Sequence, residues 1–246
     1  MHGRNTTTPV WPIFLPKEQV RKNLSDIAQL IKKYNPDIIS LQEVDRNSLS
    51  NGKLDELAEL NKILKYPFIT YGAHFRTPFA TFGTAILSKY PLLNIESHRF
   101  PFTFPTPRKG FIVTDIELEQ GIIATFVSLH TTWLDYFRPN HRNIQLRKVK
   151  EILCNRKHPI IIAGDFNDEF KSEGSSQKND NLHQFMDDLH LHAFEPTNTK
   201  LKTYPASAPR ERIDWVLVSK NFEFKTYEVV NEHLSDHLPI LTNISY

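Results

Sequence analysis

The chain has 246 residues, with 30 Lys and Arg against 28 Asp and Glu, a formal net charge of +2 and 39% hydrophobic residues. Such a balance suits a globular protein able to bury a sizeable core, and the charge is too mild for a dedicated nucleic-acid binder. Its single cysteine, Cys154, excludes an intramolecular disulfide. That cysteine count makes a cytoplasmic protein the expectation, and no run reaches the ~20 apolar residues that a membrane span needs. The N-terminus lacks a signal peptide's apolar core, and a start that reads as truncated leaves room for an upstream targeting segment.

Val20, Leu24, Ile27, Leu30 and Ile31 recur at helical spacing until Asn35-Pro36-Asp37 stops the helix. Ile38–Val44 follows as a buried strand, and Leu54, Leu57, Leu60 and Leu64 mark a second helix. Short strands are predicted at Phe68–Tyr71, Thr84–Leu87, Phe111–Leu118 and Ile122–Leu129, with turns at Gly72, Lys89-Tyr90-Pro91 and Gln120-Gly121. A helix over Asn143–Leu153 leads into the strand Pro159–Ala163, and Cys154 at its end is expected to be a buried small hydrophobe. Leu182–Leu191 predicts a further helix, and strands follow at Arg212–Val218, Phe222–Val230 and Leu238–Ile244. Helices alternate with strands, yet several strands are joined by hairpin-length turns, which argues for an α/β protein with antiparallel or mixed sheets. The polar stretch Lys171–Asn181 predicts a surface loop inside one domain spanning residues 1–246.

Polar residues that are awkward to bury stand at the ends of these apolar strands. Glu43 closes the first strand, His130 follows Ile122–Leu129, and Asp165 with Asn167 follows Ile160–Ala163. Asp214 lies in a later strand, and the Asp236–His237 pair opens the last. Singly, each has an ordinary explanation: a strand-end carboxylate, a Gly-Asp turn, a hydrogen-bonded core histidine. Together they describe one convergent site on a rigid scaffold. Carboxylates suit Mg2+ or Mn2+, an imidazole beside an Asp suits proton transfer, and an amide can meet a phosphate oxygen without adding charge. No Gly-rich phosphate loop supports an ATP site, and no HExxH or paired Cys/His spacing supports zinc.

At these positions the chain resembles the endonuclease/exonuclease/phosphatase superfamily, which includes DNase I-like nucleases, abasic-site endonucleases, neutral sphingomyelinases, inositol polyphosphate phosphatases and deadenylases. The resemblance rests on Leu41-Gln42-Glu43-Val44-Asp45, Gly83-Thr84-Ala85-Ile86-Leu87-Ser88, Ser128-Leu129-His130, Gly164-Asp165-Phe166-Asn167, Arg212-Ile213-Asp214-Trp215 and Ser235-Asp236-His237-Leu238-Pro239, in that order. It implies a four-layer α/β/β/α sandwich, with two mixed sheets packed face to face and helices outside. It also implies a Mg2+- or Mn2+-dependent hydrolase that cleaves a phosphate ester by in-line attack of an activated water. Glu43 would be the main metal ligand with Asp236 nearby, and no other cofactor is implied. Asp165 would orient or activate the water, Asn167 would hold phosphate oxygens, and His130 would contact the scissile phosphate. His237, oriented by Asp214, would move a proton or stabilise charge. Family members open with a strand ending in an Asn. This chain begins Met1-His2-Gly3-Arg4-Asn5, so the resemblance implies a missing first strand, with Asn5 as the available substitute. A catalytically weak or silent phosphate-binding module is the alternative.

The substrate stays open among nucleic acid, phospholipid and inositol phosphate, and no obligate protein partner is called for. Arg142, Arg147, Lys148, Lys150, Arg156 and Lys157 predict a solvated helix face that could instead meet a phosphate backbone. Phe100, Phe102 and Phe104 are expected to pack on the sheet, with a lipid-facing hairpin as the alternative. Trp133, Tyr136 and Phe137 follow His130 near the expected cleft mouth. Thr203-Tyr204-Pro205-Ala206 resembles a bacterial-type branch of the superfamily.

Overall fold

The central strands of a six-stranded sheet are buried almost continuously while their side chains alternate between its two sides, which gives the sheet two apolar faces and fixes the layering. A computed structural model describes residues 15–134, 140–170 and 181–246 of the chain. In this sheet the order is β4(Leu92–Arg99), β5(Gly110–Glu117), β6(Ile123–His130), β7(Ile160–Asp165), β9(Asp214–Ser219), β8(Leu191–Ala193), and only the β6–β7 pair is parallel. Phe111, Val113, Val127, Leu129, Ile162, Trp215 and Leu217 point to one face, where α3(His141–Leu153) and α4(Asn181–Asp188) supply Leu146, Val149, Leu182 and Phe185. Ile112, Ile116, Phe126, Ile161, Val216 and Val218 point to the other, toward a second layer of strands.

That second layer holds an antiparallel three-stranded sheet ordered β1(Ile38–Asp45), β3(Thr81–Ser88), β2(Phe68–Arg76), and the antiparallel pair β10(Glu223–Val229), β11(Ile240–Ser245). Ile38 and Ile86 face inward, as do Phe224, Tyr227, Ile240 and Ile244 of the pair. Ser40 crosses between the layers, its Oγ donating to Ala163 O at 3.0 Å and lying 2.8 Å from Ser128 Oγ. Ile39, Leu41, Ala85 and Leu87 face outward against α1(Lys17–Tyr34) and α2(Glu56–Leu64), which bury Ile27, Ala28, Leu57 and Leu60 there. Helix α1 stops where Asn35 turns left-handed (φ 47°) and its N–H bonds Ile31 O, and Asp55 caps α2 by accepting from Ala58 N–H. The four layers are therefore helix, sheet, sheet, helix.

Several expectations need correcting. Strand β4 was not expected; as an edge strand it is half exposed and interleaves Asn94, Glu96 and His98 with its apolar residues. The helix expected over Leu182–Leu191 ends at Asp188, and Leu191–Ala193 pairs with β9 as β8 instead. Gly72 lies inside β2 rather than in a turn. Cys154 is exposed, because the buried stripe of α3 runs through Leu146, Val149 and Leu153 and the next residue turns off it. Phe100 packs on Phe111, whereas Phe102 and Phe104 stand exposed. Asn5, Tyr136, Phe137 and the loop over residues 171–180 lie outside the described residues. No helix among the described residues is long and apolar enough to cross a membrane.

Candidate active site

Register brings three of the site residues into one row. Parallel pairing sets His130 opposite Asp165, and antiparallel pairing sets Asp165 opposite Asp214. The alternation that sends Leu129, Gly164 and Trp215 toward the helices sends these three side chains toward the opposite sheet, at one end of the inter-sheet space. Gly110 pairs with His130 on the other side, so Lys109 adjoins the same row.

Glu43 approaches from the facing sheet by a different device. From Leu41 to Val44 strand β1 advances three residues while β3 advances two, from Ala85 to Gly83, so β1 carries a bulge in which Glu43 is left-handed (φ 54°). On the far side of β3, strand β2 also takes an extra residue, between Ala73 and Phe75, and that residue is His74. Both bulges flank Gly83, where a Cβ would meet Gly72 O at 1.9 Å. Bulges re-aim side chains. Here they turn Glu43 and His74 into a cavity of about 380 Å3, walled also by Phe82, Lys109, His130 and Trp133.

The large-sheet side is closely bonded. Asp214 Oδ2 contacts His237 Nδ1 at 2.8 Å and accepts from Thr203 Oγ1 at 2.6 Å. Tyr204 packs its ring 4.8 Å from that of His237. Leu238 N–H donates to Thr203 O and Ala206 N–H to Asp236 O, which ties the segment carrying His237 to the 203–206 segment. Asp165 Oδ1 accepts from the Asn167 backbone N–H at 2.9 Å, and Asn167 Nδ2 donates to Thr131 O at 3.0 Å. Arg142 Nη1 donates to Asn167 O, so this basic residue of α3 pins the site loop rather than facing solvent. Lys148, Lys150 and Arg156 are likewise engaged, with Arg99 O, Asp188 and Glu96.

Electrostatics divide the residues by task. Burial raises Asp165 to about 7, and the neighbouring Asp214 adds to the effect. Burial works against a charged ring at His237, yet the charge and hydrogen bond of Asp214, helped by Asp165 and Asp236, carry it up to about 10. His237 is therefore an imidazolium at neutral pH. Burial, with Lys109 adding to it, holds His130 well below its ordinary value. Its Nε2, 3.4 Å from Asp165 Oδ2 and 4.0 Å from Glu43 Oε1, makes near contacts of a neutral ring rather than ion pairs.

Asp165, Asp214 and His237 each offer a ligand atom within 4.8 Å of the others. Distance would admit a cation there, at the cost of displacing the proton that Asp214 stabilises on His237. Glu43 fits a divalent cation better. Its carboxylate is about one-third exposed (32%), so a hard cation bound to it could keep several waters, as Mg2+ prefers. Asp236, whose carboxylate accepts from Ser235 Oγ at 3.0 Å, lies near enough to raise His237.

The structure thus joins Glu43, His130, Asp165, Asn167, Asp214 and His237 in one chain of contacts. Sequence reasoning assigned no role to Lys109, His74 or Thr203. Lys109 is buried (7% exposed) and reaches Glu43 Oε1 at 2.5 Å. A charged residue placed immediately before a strand-opening glycine was the only local sign of it.

Residues 14–237 match the family described as Endonuclease/Exonuclease/phosphatase family. Similar solved structures include an endonuclease/exonuclease/phosphatase from Beutenbergia cavernae (20% identity, TM-score 0.69, covering 90% of this chain and 65% of that one). This chain therefore spans slightly less than two thirds of that protein. A mannosyl-6-phosphatase from Bacteroides thetaiotaomicron is 17% identical (TM-score 0.69), with 95% and 96% covered. The human Nocturnin catalytic domain with bound sulfate is 21% identical (TM-score 0.64), with 92% and 86% covered. No curated protein matches the sequence significantly.

Proposed function

The chain belongs to the endonuclease/exonuclease/phosphatase family, and from that premise we propose that it is a Mg2+- or Mn2+-dependent phosphoesterase acting as a single domain. The observation that carries this reading is the Asp214–His237 pair set beside the buried Asp165, with His130 standing between Asp165 and Glu43. In-line displacement at phosphorus needs positioning and charge neutralisation more than covalent chemistry. Glu43, with Asp236, would hold the metal, which when bound neutralises charge on the phosphate. Asp165, raised to about 7, takes a proton from the attacking water once it is ionised. The His237 imidazolium, held by Asp214, donates to the developing charge on the phosphoryl oxygens. Asn167 spends one amide hydrogen on Thr131 O and keeps the other for a phosphate oxygen. Neutral His130 offers a further contact beside Asp165.

A small phosphate ester is the substrate class best supported. The cavity of about 380 Å3 beside Glu43 and His130 suits a compact organic group, and one structural neighbour is a mannosyl-6-phosphatase. The intramolecular partners of Arg142, Lys148, Lys150 and Arg156 leave a nucleic-acid backbone fewer free charges to bind. Phosphate release or diester cleavage should be measured with Mg2+ or Mn2+ on sugar phosphates, inositol phosphates, sphingomyelin, RNA and single- and double-stranded DNA. Metal-dependent turnover of any one, abolished in Asp165→Asn, supports the enzyme reading. Metal and substrate binding without turnover across the panel would instead mark a silent binding module.

A further inference from the structure

Lys109 is among the most buried charged residues at the cleft, and its ammonium meets the carboxylate assigned above to the metal. A divalent cation and an ammonium cannot both sit at full strength on one carboxylate oxygen, since like charges a few ångströms apart repel. Nor can Lys109 be released without consequence. An ammonium that buried, stripped of its anion, is strongly unfavourable. Neither His130 nor His74 can supply a negative charge in place of Glu43, and Asp165, the other carboxyl that feels Lys109, is itself raised to about 7 by burial and Asp214.

Resting on the phosphoesterase reading, we propose that Lys109 is a resident counter-cation that makes metal binding at Glu43 an exchange. Lys109 yields Glu43 to a divalent cation and takes a phosphate oxygen of the substrate as its new anion. Metal alone therefore binds weakly, and metal and phosphate bind together. The coupling is reciprocal, so each ligand must tighten the other by the same factor. Placement supports this second role: Lys109 adjoins the row of His130, Asp165 and Asp214 and walls the cavity in which an ester would lie.

Calorimetric titration of Mn2+ into the full chain, with and without inorganic sulfate as a phosphate stand-in, tests the exchange. In the wild type, sulfate should tighten Mn2+ about tenfold. In Lys109→Met, Mn2+ alone should bind about tenfold more tightly than in the wild type, and the effect of sulfate should fall to within twofold. Lys109→Arg, which keeps the charge, should retain the wild-type coupling. It also keeps the proposal falsifiable if Lys109→Met unfolds, because loss of coupling in a folded Lys109→Arg would count against a role set by charge. Unchanged or weaker Mn2+ binding in a folded Lys109→Met, or coupling that survives there, overturns the proposal. Glu43→Gln separates the two levels. If it leaves Mn2+ binding intact, the metal assignment of the phosphoesterase reading fails; if it removes binding while Lys109→Met behaves as wild type, only the exchange fails.

Discussion

The two walls of the cleft are built on opposite plans. On the six-stranded side, Asp214 accepts from Thr203 and pairs with His237, Asp165 accepts from Asn167, and Arg142 pins the loop beneath. On the facing side, Glu43 and His74 project from two bulges around one glycine, and His74 Nδ1 is buried without a hydrogen-bond partner. In the proposed reaction a proton would move along one fixed geometry, and bonded atoms on the first wall would favour rate. Under the proposed exchange, ligands would arrive and leave at the second wall, where Glu43 already shares its carboxylate with Lys109.

The largest effect should come from the bonded wall. His237→Ala is expected to lower kcat by ~1,000-fold or more, while shifting the thermal midpoint only a few degrees. Turnover within tenfold of wild type in the substrate panel would remove His237 from the chemistry. Gly83→Ala strikes the other wall through its backbone. A Cβ 1.9 Å from Gly72 O forces β2 and β3 apart, so urea unfolding should show a loss of about 3 kcal/mol, together with loss of metal binding. A variant as stable as wild type would show that the bulges are not held by that glycine.

His74 supplies a pH test. Burial depresses it from 6.5 to about 3, with Arg99 and Lys109 adding to the shift. A depressed folded value means that the contribution is present above 6.5 and is lost as pH falls toward 3. Stability should therefore decline by roughly 2 kcal/mol between pH 7 and pH 5 on account of this ring, and His74→Gln should flatten that part of the profile. Parallel acid limbs in the two proteins would contradict it. Thr203→Val removes one donor from Asp214 and should cost about tenfold in kcat, with NMR titration showing an altered His237 pKa. An unmoved titration would make Thr203 a structural residue only. The smallest effect belongs to the exposed rim: Phe104→Ser should change stability by less than about 0.5 kcal/mol, and a larger loss would mean that Phe104 packs in solution.

Much of the bonded wall was legible in the chain. His130, Asp165 and Asp214 stand at the ends of apolar strands, where polar residues have few reasons to be, and their row follows once those strands pair. The near-continuous burial of β5, β6, β7 and β9 was readable too, since a sheet buried on both faces needs continuous apolar runs. Edge strand β4 was not, because one exposed side lets polar residues interrupt the pattern. Cys154 was misplaced because one helical step, about 100°, separates a buried stripe from solvent.

The order of motifs and their chemistry, and with them the family and the layered α/β class, lie in the sequence, because local apolar runs and residue types are written along the chain. The facing wall does not. Its two bulges exist only as a mismatch between paired strands, 41–44 against 83–85 and 73–75 against 82–83. The meeting of Lys109 with Glu43 spans 66 positions of sequence and the space between two sheets. Such contacts depend on register and packing between distant segments, which no local window of residues contains.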